Sequence, residues 1–241
     1  MRIDSHVYLQ PDHPPDHLGA ILARNRFDGA ILVAESSELP PLPALVLGIL
    51  IRGTALDDSL DPRIRGVCCP VADVAPAFAA ELAARGLALD AEMEPGDFPA
   101  LLSLSDRVPG LRIAIDHLAR PLFEQGPTDE WSRGMEAAGQ RPQIYCKASG
   151  LLTRVARLPW SAGPIRPFVQ IALGCFGAER LMFGSEWPKR LPDIIWKESL
   201  AAFTQSIGAQ TMEARERMLG ETARTFYACQ GKSESSAFEQ S

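Results

Sequence analysis

Short apolar runs alternate with longer segments of helical periodicity along the whole chain. Eight short runs have strand character: RIDSHVY (2–8), GAILVAE (29–35), LVLGILIR (45–52), IRGVCCPV (64–71), GLALDAEM (86–93), LRIAID (111–116), QIYCKAS (143–149) and RLMFGSE (180–186). Several are nearly continuous Val, Ile, Leu and Ala, the pattern of parallel strands covered on both faces. Helical spacing predicts helices near 15–25, 73–85, 97–107, 129–140, 164–176 and 193–207, with a last one near 211–228. The connections at 36–44 and 53–62 are less regular and hold at most a turn of helix. Strands and helices in such alternation predict either a closed barrel or an open doubly wound sheet. The open sheet usually carries a glycine-rich phosphate turn after its first strand. Here that strand runs into HVYLQPDHPPDH, which has no such turn. The expected fold is therefore α/β, a distorted (β/α)8 TIM barrel in a single domain over residues 1–230. The polar segment 231–241 is expected to be a disordered tail.

Polar residues interrupt this apolar pattern at strand ends. Strict alternation in the first strand places Asp4, His6 and Tyr8 on one face and Ile3, Ser5 and Val7 on the other. The apolar set suits the helix layer, so the polar set is expected to point into the barrel. An acid, an imidazole and a phenol are costly to bury there without partners. The sixth strand exits through Asp116 and His117, and the eighth through Glu186, with Gly184 leaving room near the axis. Barrel enzymes keep their chemistry at these carboxyl ends. Three polar exits together predict a site where any one alone would not.

Composition narrows the partners. Of 241 residues 46% are hydrophobic, enough for a barrel that folds without a disulfide or structural metal. The net charge of −6 argues against a nucleic-acid partner. No run of 18 apolar residues and no leader-like segment is present, so a cytoplasmic protein with no membrane partner is expected. Five cysteines without a CxxC pair suit reduced, buried thiols, with Cys68 and Cys69 on opposite strand faces. Despite the acidic balance, Arg52, Arg120, Arg154, Lys189 and Arg190 follow strand ends and would ring one mouth. There they would orient a carboxylate or another anion. Oligomeric state is left open.

The segments IDSHVY, AIDHLARP, IYCKASGLL, AERLMFGSEWP and ERMLGETARTFY, in that order, give the chain a family resemblance. It is similar to the amidohydrolase-related family that includes 2-pyrone-4,6-dicarboxylate lactonase and L-fuconolactonase, over nearly its whole length. The family's opening Asp-x-His-x-His is matched by Asp4 and His6, but Tyr8 replaces the second histidine. Asp116-His117 match the sixth-strand pair. Glu186 stands where the family has an aspartate general base, Thr222 where it has an asparagine, and Cys68 where an arginine is frequent. A lone imidazole on that strand is a poorer metal site than a pair. The resemblance therefore implies either no cofactor or a weakly held divalent metal, zinc or manganese, on His6, His117 and Glu186.

The function implied is hydrolysis of a small, anionic lactone. Glu186 would activate water, while His6, His117 and Tyr8 would stabilise the oxyanion. Arg52, Arg120, Lys147, Arg154 and Lys189 are the candidate substrate-binding residues, Lys147 with its strand direction open. Two rivals stand beside this reading. One is a metal-dependent decarboxylase of the same superfamily; the other is a non-catalytic barrel binding a small acid or a protein partner.

Overall fold

The computed structural model describes residues 1–8, 15–56, 61–153, 160–188 and 192–229. Eight parallel strands follow one another in a single sheet in chain order. They are β1 (Ile3–Tyr8), β2 (Gly29–Ala34), β3 (Val46–Arg52), β4 (Ile64–Pro70), β5 (Ala88–Glu92), β6 (Ile113–Ile115), β7 (Ile144–Ala148) and β8 (Leu181–Phe183). The eighth meets the first at one end: Val7 bridges Trp187, Tyr8 N–H donates to the Trp187 carbonyl, and Glu186 N–H donates to the His6 carbonyl. The sheet is thereby curled into a nearly closed TIM barrel. The helices are α1 (Pro15–Arg24), α2 (Pro76–Ala84), α3 (Phe98–Arg107), α4 (Asp129–Gly139), α5 (Ala162–Arg180) and α6 (Pro192–Ile207). The chain continues through α7 (Met212–Glu216), a wide turn at Arg217–Glu221 and α8 (Thr222–Phe226).

Local chemistry sets several of these boundaries. Thr128 caps α4 by accepting from Trp131 N–H, and Asp129 and Glu130 add negative charge to its first turn. Pro76 opens α2 where its missing N–H costs nothing. β6 and β8 are shorter than their apolar runs because Asp116 enters a turn and Ser185–Trp187 leave β7 to join β1.

Outward strand residues pack with the helices into one large core, in which Phe27, Phe183, Trp196 and Phe203 interlock. Burying each such side chain contributes roughly 1.5–3 kcal/mol. Inward residues form a second, smaller cluster of Ile3, Ile31, Leu50, Cys68, Ala88, Ala114 and Met182, joined by Phe226 and Tyr227 from the C-terminal segment. Cys68 and Cys69 fall in different clusters, as alternation requires.

The first strand departs from strict alternation. Ile3 faces inward and Val7 outward, with a register shift between Asp4 and Val7. The extra residue reverses the phase, so His6 and Tyr8 point in while Asp4 points to the helix layer. Its carboxylate accepts from Ser185 N–H (2.9 Å), His6 N–H (3.2 Å) and Trp196 Nε1–H (2.7 Å). The expected inward placement of Asp4 is thus corrected: it ties β1 to α6 and to the turn after β8. Gly184 makes that turn possible, because a Cβ there would lie 2.8 Å from His6 Cβ. At the other end of the barrel Gly220 lets the wide turn close on the N-terminus, where a Cβ would lie 2.1 Å from the Met1 carbonyl oxygen.

Candidate active site

Inward positions on β1, β5 and β7, with the exits of β6 and β8, bring polar side chains into the upper barrel. Lys147 on β7 has no exposed surface. Its ammonium donates to Asp90 and lies 3.2 Å from His6 Nδ1 and 3.3 Å from Asp116 Oδ1. Tyr227 Oη donates to the same Asp90 carboxylate, at 2.9 Å. Cys68 Sγ donates to Asp116 Oδ2 at 3.4 Å. Burial pushes the Asp90 carboxyl up to about 7, against the pull of Lys147, whereas Asp116 is held well below the usual range by the Lys147 ammonium despite its burial. One ammonium thus serves two facing carboxylates.

Nearer the mouth lie His6, Tyr8, His117 and Glu186. His6 Nε2 is 2.7 Å from Tyr8 Oη, and the His6 and His117 rings meet edge to face at 4.7 Å. His117 Nδ1 is 2.8 Å from Ser149 Oγ, while its Nε2 lies 3.4 Å from Glu186 Oε1. Thr153 Oγ1 donates to Glu186 Oε2 at 2.5 Å. Burial lowers the His117 imidazole to about 4 and also lowers that of His6, beside Lys147, so both are neutral at pH 7. Burial likewise raises the Tyr8 phenol, which keeps its proton.

Backbone strain surrounds this upper group. His117, Leu118, Ala119 and Arg120 all have positive φ, between 48° and 57°, and Glu186 has φ 61°. Left-handed backbone costs L-residues about 1–2 kcal/mol each and is rare in succession. The turn is held by Arg120 N–H donating to the His117 carbonyl and Trp131 Nε1–H donating to that of Leu118. Strain of this kind clusters at functional sites because their geometry is over-determined by the surroundings.

Arg52 and Arg120 stand at the rim and share Glu92, at 3.1 Å and 3.2 Å. Arg52 also pairs with Glu35 (3.2 Å) and lies 6.0 Å from the centre of the Tyr8 ring. The structure therefore gathers His6, Tyr8, His117 and Glu186, with Arg52 and Arg120 beside them and Lys147 beneath. Arg154, Lys189 and Arg190 lie outside the described residues. Asp90, Glu92, Ser149, Thr153 and Tyr227 were not picked out from the sequence. Asp90 and Glu92 carry a signal there, two acids at strand spacing within the apolar run LALDAEM.

Metal donors are present in type. His6, Asp116 and His117 each offer an atom within 4.8 Å of the others. Asp116 takes the place in this group that the sequence reading gave to Glu186. Neither Asp116 Oδ1, which lies 3.3 Å from the Lys147 ammonium, nor His117 Nε2 makes a hydrogen bond, although both are buried. The set fits a divalent ion, although the Lys147 ammonium already lies against two of its members.

The amidohydrolase family model (Amidohydro_2) matches residues 10–228. The chain belongs to the amidohydrolase family. An L-fucono-1,5-lactonase of Burkholderia ambifaria is 37% identical over 139 residues, 53% of this chain and 47% of that protein. The chain spans about half the length of the relatives it matches in sequence. Among solved structures, an amidohydrolase of Burkholderia multivorans with bound zinc superimposes with a TM-score of 0.79 at 21% identity, covering 95% of this chain and 100% of that one. Amidohydrolase 2 of Bifidobacterium longum subsp. infantis gives 0.72 at 19% identity, over 95% and 99%. These likenesses establish the amidohydrolase barrel fold. Among the described residues of this amidohydrolase no helix is long and apolar enough to cross a membrane.

Proposed function

We propose that this amidohydrolase hydrolyses a small lactone whose polar or anionic edge faces Arg52 and Arg120. The observation that carries the reading is the pairing of Glu186 with a neutral His117 beside the Tyr8 hydroxyl, in a strained, nearly buried cluster at the barrel mouth. The similarity to a lactonase from Burkholderia ambifaria supports it.

Glu186 takes a proton from water as the water oxygen bonds to the lactone carbonyl carbon. The negative charge that develops on the carbonyl oxygen is met by the Tyr8 hydroxyl and by His117. Collapse breaks the ring C–O bond, and Glu186 returns its proton to the departing alkoxide, giving a hydroxy acid. Thr153 fixes the second Glu186 oxygen and so its direction. Both ring nitrogens of His6 already face protein groups, Lys147 and Tyr8, so His6 supports Tyr8 rather than meeting the substrate itself. A divalent ion, when bound, would be held by Asp116, His117 and His6, the last only with its Nδ1 released from the Lys147 ammonium, and would add Lewis-acid polarisation. The nearby ammonium repels a dication, so zinc or manganese would be weakly held. The protein is proposed to work in the cytoplasm on a small molecule.

Acid release in weak buffer from a panel of sugar lactones and pyrone or muconolactone acids tests the reading. Turnover by wild type that collapses in Glu186→Gln is the expected result. No turnover of any lactone by either protein would sink it and leave a decarboxylase or a binding-only barrel.

A further inference from the structure

The hydrogen bonds inside the barrel have a direction. An ammonium has three protons and no lone pair, so Lys147 can only donate. At 3.2 Å from His6 Nδ1 it is within hydrogen-bond reach, whereas Asp116 Oδ1, at 3.6 Å from the same nitrogen, is not. Nδ1 is then the acceptor, and the proton of the neutral ring resides on Nε2. Nε2–H in turn faces Tyr8 Oη at 2.7 Å and donates to it. Tyr8 has one hydroxyl proton of its own, which this bond directs away from His6.

We infer that Lys147, anchored on Asp90 and Tyr227, locks His6 in its Nε2–H tautomer and thereby turns Tyr8 into a one-way hydrogen-bond donor towards the mouth. Lys147 and His6 are positioning residues; Tyr8 is the group that meets the substrate oxygen. The network runs from the far end of the barrel to the site: Tyr227 Oη–H and the Lys147 ammonium both donate to Asp90, the ammonium donates to the imidazole, and the imidazole donates to the phenol. Every link but the last is fully buried, so solvent does not compete for it. From Lys147 onward each donor polarises the next, which strengthens the terminal hydroxyl as a donor. The arrangement gives a purpose to the phenol that replaces an imidazole in the opening motif. A histidine accepting the same bond would present its one N–H from the opposite side of its ring, whereas the phenol donates from the oxygen that accepts.

This inference deepens the lactone-hydrolase reading and rests on it for the role of Tyr8, but the tautomer can be measured without any substrate. Long-range 1H–15N correlation spectra of the full chain distinguish Nε2–H from Nδ1–H imidazoles, and His6→Asn assigns the His6 signals among the four histidines. The expected wild-type spectrum shows His6 as Nε2–H, unchanged in Tyr8→Phe and converted to Nδ1–H or to a mixture in Lys147→Met. A wild-type His6 carrying its proton on Nδ1 would overturn the relay, as would an unaltered tautomer in folded Lys147→Met. Should Lys147→Met not fold, the wild-type and Tyr8→Phe spectra decide. On any lactone that turns over, Tyr8→Phe should lower kcat about a hundredfold with KM little changed, the loss typical of one oxyanion donor. An Nε2–H tautomer without lactone turnover would keep the relay and remove the hydrolase reading; turnover with kcat unchanged in Tyr8→Phe would do the reverse.

Discussion

Lys147 and Glu186 belong to neighbouring strand exits of one barrel, yet their surroundings differ in kind. Around Lys147 the backbone is regular strand, and the ammonium is matched by two carboxylates, an imidazole and, through Asp90, a phenol. Around Glu186 the backbone is left-handed at Glu186 itself and across the facing His117–Arg120 turn, and the facing nitrogen of His117 makes no hydrogen bond. The deep group is compensated and rigid; the upper group is strained and leaves bonding capacity unused. A polar cluster of the first kind holds atoms in place, and one of the second kind has something left to offer a substrate.

Substitutions should separate the two. Glu186→Gln should lower turnover by about 10³-fold, within the range for losing a general base, with little change in urea midpoint. Lys147→Met should do the opposite to stability, costing about 3–5 kcal/mol in urea titrations because two buried carboxylates lose their cation. Equal loss of stability in both variants would dissolve the distinction.

Acid titration offers a finer cut. The His117 value of about 4 lies below the ordinary 6.5, so the unfolded chain binds a proton first as pH falls. Its contribution is full above pH 6.5 and is lost between 6.5 and 4, to the extent of a few kcal/mol. Asp4 works the other way. Burial raises it to about 6 from 3.8, so the folded chain binds first and gains stability as pH falls across that window. Stability measured by urea at pH 7 and pH 5 should therefore fall more steeply in Asp4→Asn than in wild type, and less steeply in His117→Asn. Because Asp4 faces α6, Asp4→Asn should also keep lactone turnover near wild type while weakening the fold by about 1–3 kcal/mol, the cost of disturbing a buried hydrogen-bonded group. The smallest effect is expected from Thr153→Val. Losing one hydrogen bond to a carboxylate should slow turnover about tenfold, from a loss of about 1.5 kcal/mol, without moving the urea midpoint.

All eight strands were legible as apolar runs, because parallel strands buried on both faces leave that mark however the loops vary. So was the group of His6, Tyr8, His117 and Glu186, since a polar residue at a strand exit stands out against such runs. Asp4 was misplaced for a definite reason: a strand bulge inverts phase without changing composition, and strict alternation has no term for it. Lys147 was named without its direction, which depends on β7 register to a single residue. Asp90 and Tyr227 were passed over because their meaning is mutual. They are 137 positions apart in the chain, and neither has a role until the barrel brings them together.

That pairing also sets an order of assembly. On a growing polypeptide Asp90 emerges long before Tyr227, and the segment that seals the barrel floor is the last part of the described structure to be made. Until it arrives, Asp90 lacks its phenol partner and the lower interior lies open to water. The mouth is thus finished from below, and a ribosome-bound chain that already holds every mouth residue would still lack the floor beneath them.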